Sequence, residues 1–112
     1  MARTVAAKAR EGDRILTLHP AGKNGVRIER AKYDEMRRAI LKCVPRGESG
    51  IALSALTARV PRLLDRSIFP PGTGLTWYLI AVKQDLEARG QIAQVAGRKP
   101  QHLRRAAMTG RI

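Results

Sequence analysis

Two periods of hydrophobicity alternate along this chain. Ile15-Leu16-Thr17-Leu18-His19 is a short apolar run, and Val26 and Ile28 alternate with Arg27 and Glu29. A period of two is the mark of a strand. Between the runs, Pro20-Ala21-Gly22-Lys23-Asn24-Gly25 is a turn cluster whose Asn-Gly pair is a strong turn signal. Together they predict a short amino-terminal β-hairpin with a long loop. In "ERAKYDEMRRAILKCV" the period lengthens: Tyr33, Met36, Ile40 and Cys43 or Val44 recur at helical spacing. On the wet side, Asp34 with Arg38 and Arg30 with Asp34 stand four apart and are expected to pair. Pro45 and Gly47 stop this first helix.

A short strand is expected near Ile51. In "ESGIALSALTARV", Ser54 is an expected N-cap for a second helix through Val60, with Leu56 and Val60 facing the core. Pro61 would open a further turn carrying Leu63 and Leu64. "SIFPPGTG" then reads as a rigid loop, ending at Thr73 or Thr76 as the cap of a third helix. That helix is expected over about Leu75 to Arg89. Leu75, Leu79, Val82 and Leu86 form its buried stripe; Trp77, Ile80, Ala81 and Gln84 lie opposite. Gly90 is well placed to cap its end. Ile92 to Ala96 and Gln101 to Arg105 predict a second hairpin, with Gly97 to Pro100 at its tip and Ile92, Val95 and Leu103 able to reach the core. The expected organisation is a flexible basic tail (1–13), one domain (14–106) and a flexible carboxy-terminal tail (107–112), with no repeat.

Charge changes the picture. Lys and Arg number 22 against 9 acids, a net +13. Such an excess draws polyanions and makes the compact state repel itself. Nucleic acid is the first partner this suggests, and an anionic membrane surface the second. The same excess also fits drift toward arginine and alanine, since 16 of the 22 bases are Arg. Glu87 is the last acid, yet Arg89, Arg98, Lys99, Arg104, Arg105 and Arg111 follow it, so the second hairpin is acid-free. Cys43 stands alone, which excludes an intramolecular disulfide and suits a reducing cytoplasm. The longest apolar run, Trp77 to Val82, is much too short to span a bilayer.

Little points to catalysis. His19 and His102 fall in separate hairpins without acidic or thiol companions at metal spacing. Gly72-Thr73-Gly74 lacks the third glycine of a dinucleotide fingerprint and the strand before it, and Gly22-Lys23 lacks the rest of a phosphate loop. No acid and base pair stands out. The expectation is a protein that is not an enzyme, with no cofactor, metal or small-molecule substrate.

Three helices, a short strand near Ile51 and a terminal basic hairpin resemble a winged helix-turn-helix. The run Leu86-Glu87-Ala88-Arg89-Gly90-Gln91-Ile92 is similar to the way that superfamily leaves its third helix and enters the wing. A closer likeness is to a family of small uncharacterised bacterial proteins. It is carried by Ala31 to Leu41, Phe69 to Gly72, Trp77 with Lys83 and Asp85 to Ile92, and Lys99-Pro100, and covers roughly residues 15 to 105. The fold implied is α+β: a three-helix core with a carboxy-terminal β-hairpin wing.

The resemblance implies a third helix directed at the major groove and a basic wing on phosphates. It assigns Thr76, Trp77, Ile80, Lys83 and Gln84 to the helix face, with Gln84 reading adenine, Ile80 against a thymine methyl and Lys83 on phosphate. Arg98, Lys99 and Arg104 would neutralise phosphates from the wing. The expected function is duplex DNA binding, as in a transcriptional regulator. Two features set this helix apart from the usual pattern. Its outward face holds no Arg, and the proline-bearing linker before it is longer than the usual turn. The alternative is an interaction or homodimer module using Trp77, Ile80 and Ala81, which the amino-terminal hairpin or a second subunit could cover.

Overall fold

Tyr33, Met36, Ala39 and Ile40 are all buried on one side of α1 (Arg30–Cys43), and the remaining elements gather against that side. The computed structural model describes residues 13–23, 25–47 and 49–106. The tails at 1–12 and 107–112, and Asn24 of the expected turn, lie outside these residues. The order is β1 (Arg14–Leu16), β2 (Arg27–Glu29), α1, β3 (Ile51–Ala52), α2 (Leu53–Leu63), α3 (Leu75–Ala88), β4 (Ile92–Gln94) and β5 (His102–Arg105). The described residues thus form an α+β fold with three helices and two small antiparallel sheets.

The amino-terminal hairpin pairs Ile15 with Ile28 and Leu16 with Arg27. Thr17 extends it: its N–H donates to the Val26 carbonyl (2.9 Å), and its hydroxyl oxygen accepts the Val26 N–H (2.9 Å). The second sheet has the order β3-β5-β4, with Leu103 opposite both Ile51 and Gln94. Leu103 points inward, so its partners Ile51 and Gln94, and the Ile92–Arg105 pair, face the helices. His102 and Arg104 alternate to the outer face. The interior is closed by Leu56 and Val60 from α2, Leu79, Val82 and Leu86 from α3, and Phe69 from the loop between them. Phe69 meets Tyr78 edge to face at 5.2 Å, which pins the proline-bearing loop to α3.

Helix boundaries depart from the local signals. None of the three helices has a side-chain N-cap bond. Distant backbone does that work: the Arg30 N–H donates to the Asp13 carbonyl (3.0 Å), and the Leu53 N–H to the Gln101 carbonyl (2.9 Å). Ser54 is therefore inside α2 rather than its cap. Thr76 is the second residue of α3, and Thr73 donates its hydroxyl to the Pro70 carbonyl (2.6 Å) instead. Pro61 does not open a new turn; α2 runs through it to Leu63. The missing N–H costs one helical bond. Val60 and Leu64, buried on either side of it, hold the segment to the core.

The expected ion pairs of α1 also change partners. Arg30 meets Asp13 (3.3 Å), and Arg38 meets Glu35 (2.6 Å), so Asp34 is in neither pair. Glu35 sits beside the end of α2. There its carboxylate accepts the Asp65 N–H (2.8 Å), while Arg38 donates to the Leu63 carbonyl (2.6 Å). Those added partners decide the choice. The Arg38 hydrogen bond holds the Glu35 carboxyl below its ordinary range.

Two helix ends are closed as the chain turns back. At α3, Gly90 (φ +80°) donates to Glu87, and the Gln91 N–H to the Leu86 carbonyl (2.9 Å), a paired closure that needs a left-handed residue. At α1, the guanidinium of Arg105 is the cap. Its Nε donates to the carbonyls of Leu41 (3.0 Å) and Val44 (3.2 Å), and its Nη2 donates to Leu41 as well. Burial lowers the Arg105 pKa from its ordinary value.

Gly50 sets the start of β3. Its φ is +69°, and a Cβ there would lie 2.7 Å from the Leu103 carbonyl oxygen and 2.9 Å from Val95 Cγ2. Gly50→Ala is expected to lower unfolding free energy by about 1–3 kcal/mol through strain alone. Urea denaturation should show a lower midpoint at unchanged slope; an unaltered midpoint would refute the close approach.

Candidate nucleic-acid interface

The carboxy-terminal hairpin carries the charge that the chain's composition promises. β4 ends at Gln94, two residues before the expected Ala96, although the Val95 N–H still donates to the His102 carbonyl (2.8 Å). Beyond it, Gly97 to Pro100 form the exposed tip, where the Lys99–Pro100 peptide is cis. Arg98 and Lys99 are exposed there. Among the described residues neither pairs with a carboxylate. Arg98 turns back instead, with Nη2 3.2 Å from His102 Nε2 and Nη1 3.5 Å from the Ser49 carbonyl. Arg104 stands on the outer face, partly exposed.

The α3 face is different. Thr76 is exposed, Trp77 is 51% exposed, and Ile80 and Gln84 are half-buried. Lys83, expected to project outward toward phosphate, is instead buried at 4% exposure. Its ammonium donates to Glu87 (3.1 Å) and to the Gln101 side-chain carbonyl (3.0 Å). Glu87 in turn accepts from Gln94 (3.0 Å). This chain of polar side chains ties α3 to both strands of the hairpin. Lys83 is held where the helix meets the sheet because an ammonium that leaves water needs acceptors, and these are within reach. Hence α3 presents no outward ammonium along its middle. Further exposed bases lie on α2 and just after it: Arg59, Arg62 and Arg66.

Asp85 was not among the expected site residues, yet it is fully buried and holds three parts of the chain. Its Oδ1 accepts the Leu18 N–H (2.8 Å); its Oδ2 accepts the Tyr33 hydroxyl and the Arg89 Nε–H (2.8 Å). The segment after β1 is thereby fastened to α3, and Ile80 and Ala81 pack against the core while Trp77 stays open. A sequence signal did exist: Asp85 lies beside the Val82–Leu86 stripe, with Arg89 four residues on.

Compared with known proteins, residues 14–103 match a family described as "Family of unknown function (DUF6958)". The chain belongs to that family. No curated protein and no solved structure matches it significantly. The matched span runs from β1 through all three helices and β4 and ends within β5, at Leu103. Among the described residues, no helix is long and apolar enough to cross a membrane, and no group of three or more His, Cys, Asp or Glu gathers as metal ligands would.

The Tyr33–Asp85 contact makes stability depend on alkaline pH. Burial, then the hydrogen bond to Asp85, push the Tyr33 hydroxyl from its ordinary value near 10 up to about 12. The protonated phenol is the form the fold prefers. Its contribution is therefore complete below pH 10 and is lost as pH rises through 12. On the order of 2–3 kcal/mol of stability is expected to disappear across that window. Tyr33→Phe should be less stable at neutral pH by about 1 kcal/mol or more, and denaturation at stepped pH should show that the variant lacks the parental loss between 10 and 12.

Proposed function

We propose that this chain is a winged-helix protein that binds duplex DNA, with the carboxy-terminal hairpin as its wing. What supports the fold reading is the order of elements. A helix, a two-residue strand, two further helices and a hairpin follow one another, and the short strand and the hairpin share a sheet in which the last strand lies between the other two. The observation that carries the function is the pair Arg98 and Lys99. They crown a hairpin that is rigidly joined to α3 through Lys83, Glu87, Gln94 and Gln101, and no carboxylate among the described residues neutralises them. A cationic crest on a fixed scaffold suits a phosphate backbone.

The third helix plays a smaller electrostatic part in this reading. Thr76, Trp77, Ile80 and Gln84 offer uncharged contacts with base edges, while Lys83 is spent inside the domain. Affinity then comes mainly from counterion release at the wing, and sequence preference is weak. A second reading is favoured by one observation. Trp77 is half-exposed beside the exposed Thr76, and its ring meets Tyr78 edge to face (4.9 Å). Such a surface suits a second copy of the chain. The two readings are compatible.

The test is duplex binding measured by fluorescence anisotropy across a salt series. Binding is expected at low salt and should weaken steeply as salt rises. Arg98→Ala with Lys99→Ala should reduce the slope of log affinity against log salt by about 2 and weaken all duplexes alike. Absence of binding at low salt would sink the DNA reading. Trp77→Ala, followed by sedimentation velocity, checks the second: a shift from dimer to monomer is expected, and a parent that is monomeric at high concentration rejects it.

A further inference from the structure

We propose that the outer face of the three-stranded sheet is a phosphate seat, formed by Arg104 and Arg98 with His102 as the positioning residue. The inference rests on the DNA-binding reading and adds where a phosphate is held: on the sheet, beside the tip, away from α3. Alternation along β5 sends Leu103 and Arg105 inward and His102 and Arg104 outward. The residues opposite the outward pair are both alanines, Ala52 across from His102 and Ala93 across from Arg104.

His102 orients Arg98. Its Nδ1 lies 2.7 Å from the Pro100 carbonyl, which can only accept, so Nδ1 carries the hydrogen. Its Nε2 lies 3.2 Å from Arg98 Nη2, which can only donate, so Nε2 is the acceptor. In that tautomer the imidazole accepts from the Arg98 guanidinium and holds it beside β5. Arg104 follows two residues later on the same face, roughly 7 Å along the strand.

Arg104 differs from the arginines that build the fold. Arg38, Arg89 and Arg105 are each fixed by a carboxylate or by helix carbonyls. Arg104 Nε is shut away from water and has no hydrogen-bond partner among the described residues. An N–H without an acceptor raises the free energy of the unliganded state, and among the described residues the Nε has no bond to give up when a ligand offers one. A phosphate supplies acceptors in the geometry that an arginine fork matches. The chemistry is the same for a phosphodiester in a nucleic-acid backbone and for inorganic phosphate, so the two sources have to be distinguished by experiment.

The full-length chain is titrated with a short DNA duplex and, separately, with inorganic phosphate, while arginine Nε–H signals are followed by proton–nitrogen NMR. Arg104→Lys identifies the Arg104 signal by deleting it and keeps the charge. The variant should melt close to the parental temperature, because among the described residues the Arg104 Nε makes no hydrogen bond that the exchange would remove. Duplex is expected to move the Arg104 signal while that of Arg89, locked on Asp85, stays in place. Arg104→Lys should weaken duplex binding at least fivefold, and His102→Ala should weaken it by less. If duplex binds and depends on Arg98 and Lys99, yet Arg104→Lys binds equally well and the signal stays still, the seat is refuted and the DNA reading survives. If phosphate alone moves the signal and duplex does not bind, the seat stands with a free phosphate as ligand and the DNA reading falls. If neither addition moves it, the seat is refuted outright.

Discussion

The Asp85 carboxylate is the constraint around which the described chain is arranged. A fully buried carboxylate is tolerable only when its oxygens are well occupied, because leaving water costs an isolated charge several kcal/mol or more. Asp85 meets that demand with a backbone N–H from the amino-terminal segment, a phenol from α1 and a guanidinium from its own helix. Each donor is contributed by a different part of the sequence. Satisfying one charge therefore fixes how the first hairpin lies on α3 and how α3 lies on α1. Directional bonds specify that arrangement more narrowly than the apolar contacts of Met36, Ile40, Val82 and Leu86, which would tolerate small slides.

The second polar chain does for the carboxy-terminal hairpin what Asp85 does for the amino-terminal one. Lys83 and Glu87 are one helical turn apart, and both are nearly inaccessible, with side-chain exposures of 5% and 7%. Gln94 on β4 and Gln101 just before β5 complete their shells. The excess of bases is thus divided between two uses. Lys83, Arg38, Arg89 and Arg105 are structural cations, each matched to carboxylates or to the carbonyl end of a helix. Arg98 and Lys99 are left on the crest, and Arg59 and Arg62 lie along α2. Net charge overstates how much of this positive potential a polyanion would meet, and α3 is where the shortfall is concentrated.

Much of the architecture was legible as periodicity. The stripe Tyr33, Met36, Ile40 marked α1, Leu79, Val82, Leu86 marked α3, and the turn signals bracketed both hairpins. What escaped was whatever depended on distant partners. Ser54 carries the local signature of a cap, but the Gln101 carbonyl occupies the helix end, and nothing near residue 54 announces residue 101. Arg38 had an acid four residues back and another three back; only the proximity of Asp65 and Leu63 decides for Glu35. The resemblance assigns Lys83 to the outward face of its helix, away from the Leu79, Val82, Leu86 stripe. Its burial requires Gln101, eighteen residues on. For the candidate interface, the exposed tip followed from the turn residues around Arg98 and Lys99, whereas the role of His102 depends on how the tip folds back.

The link between the Leu53 N–H and the Gln101 carbonyl means that the terminal ribbon is no appendage. Gln101, just before β5, closes the start of α2 and gives Lys83 an acceptor, while β5 itself supplies the cap of α1 through Arg105 and the central row of the sheet through Leu103. Chain cleavage at the tip would leave every one of these bonds intact, whereas truncation before residue 101 would unmake the beginnings or ends of two helices at once. The domain is in this sense circular. Its last residues complete its first helices, so folding can close only after the whole ribbon has been synthesised.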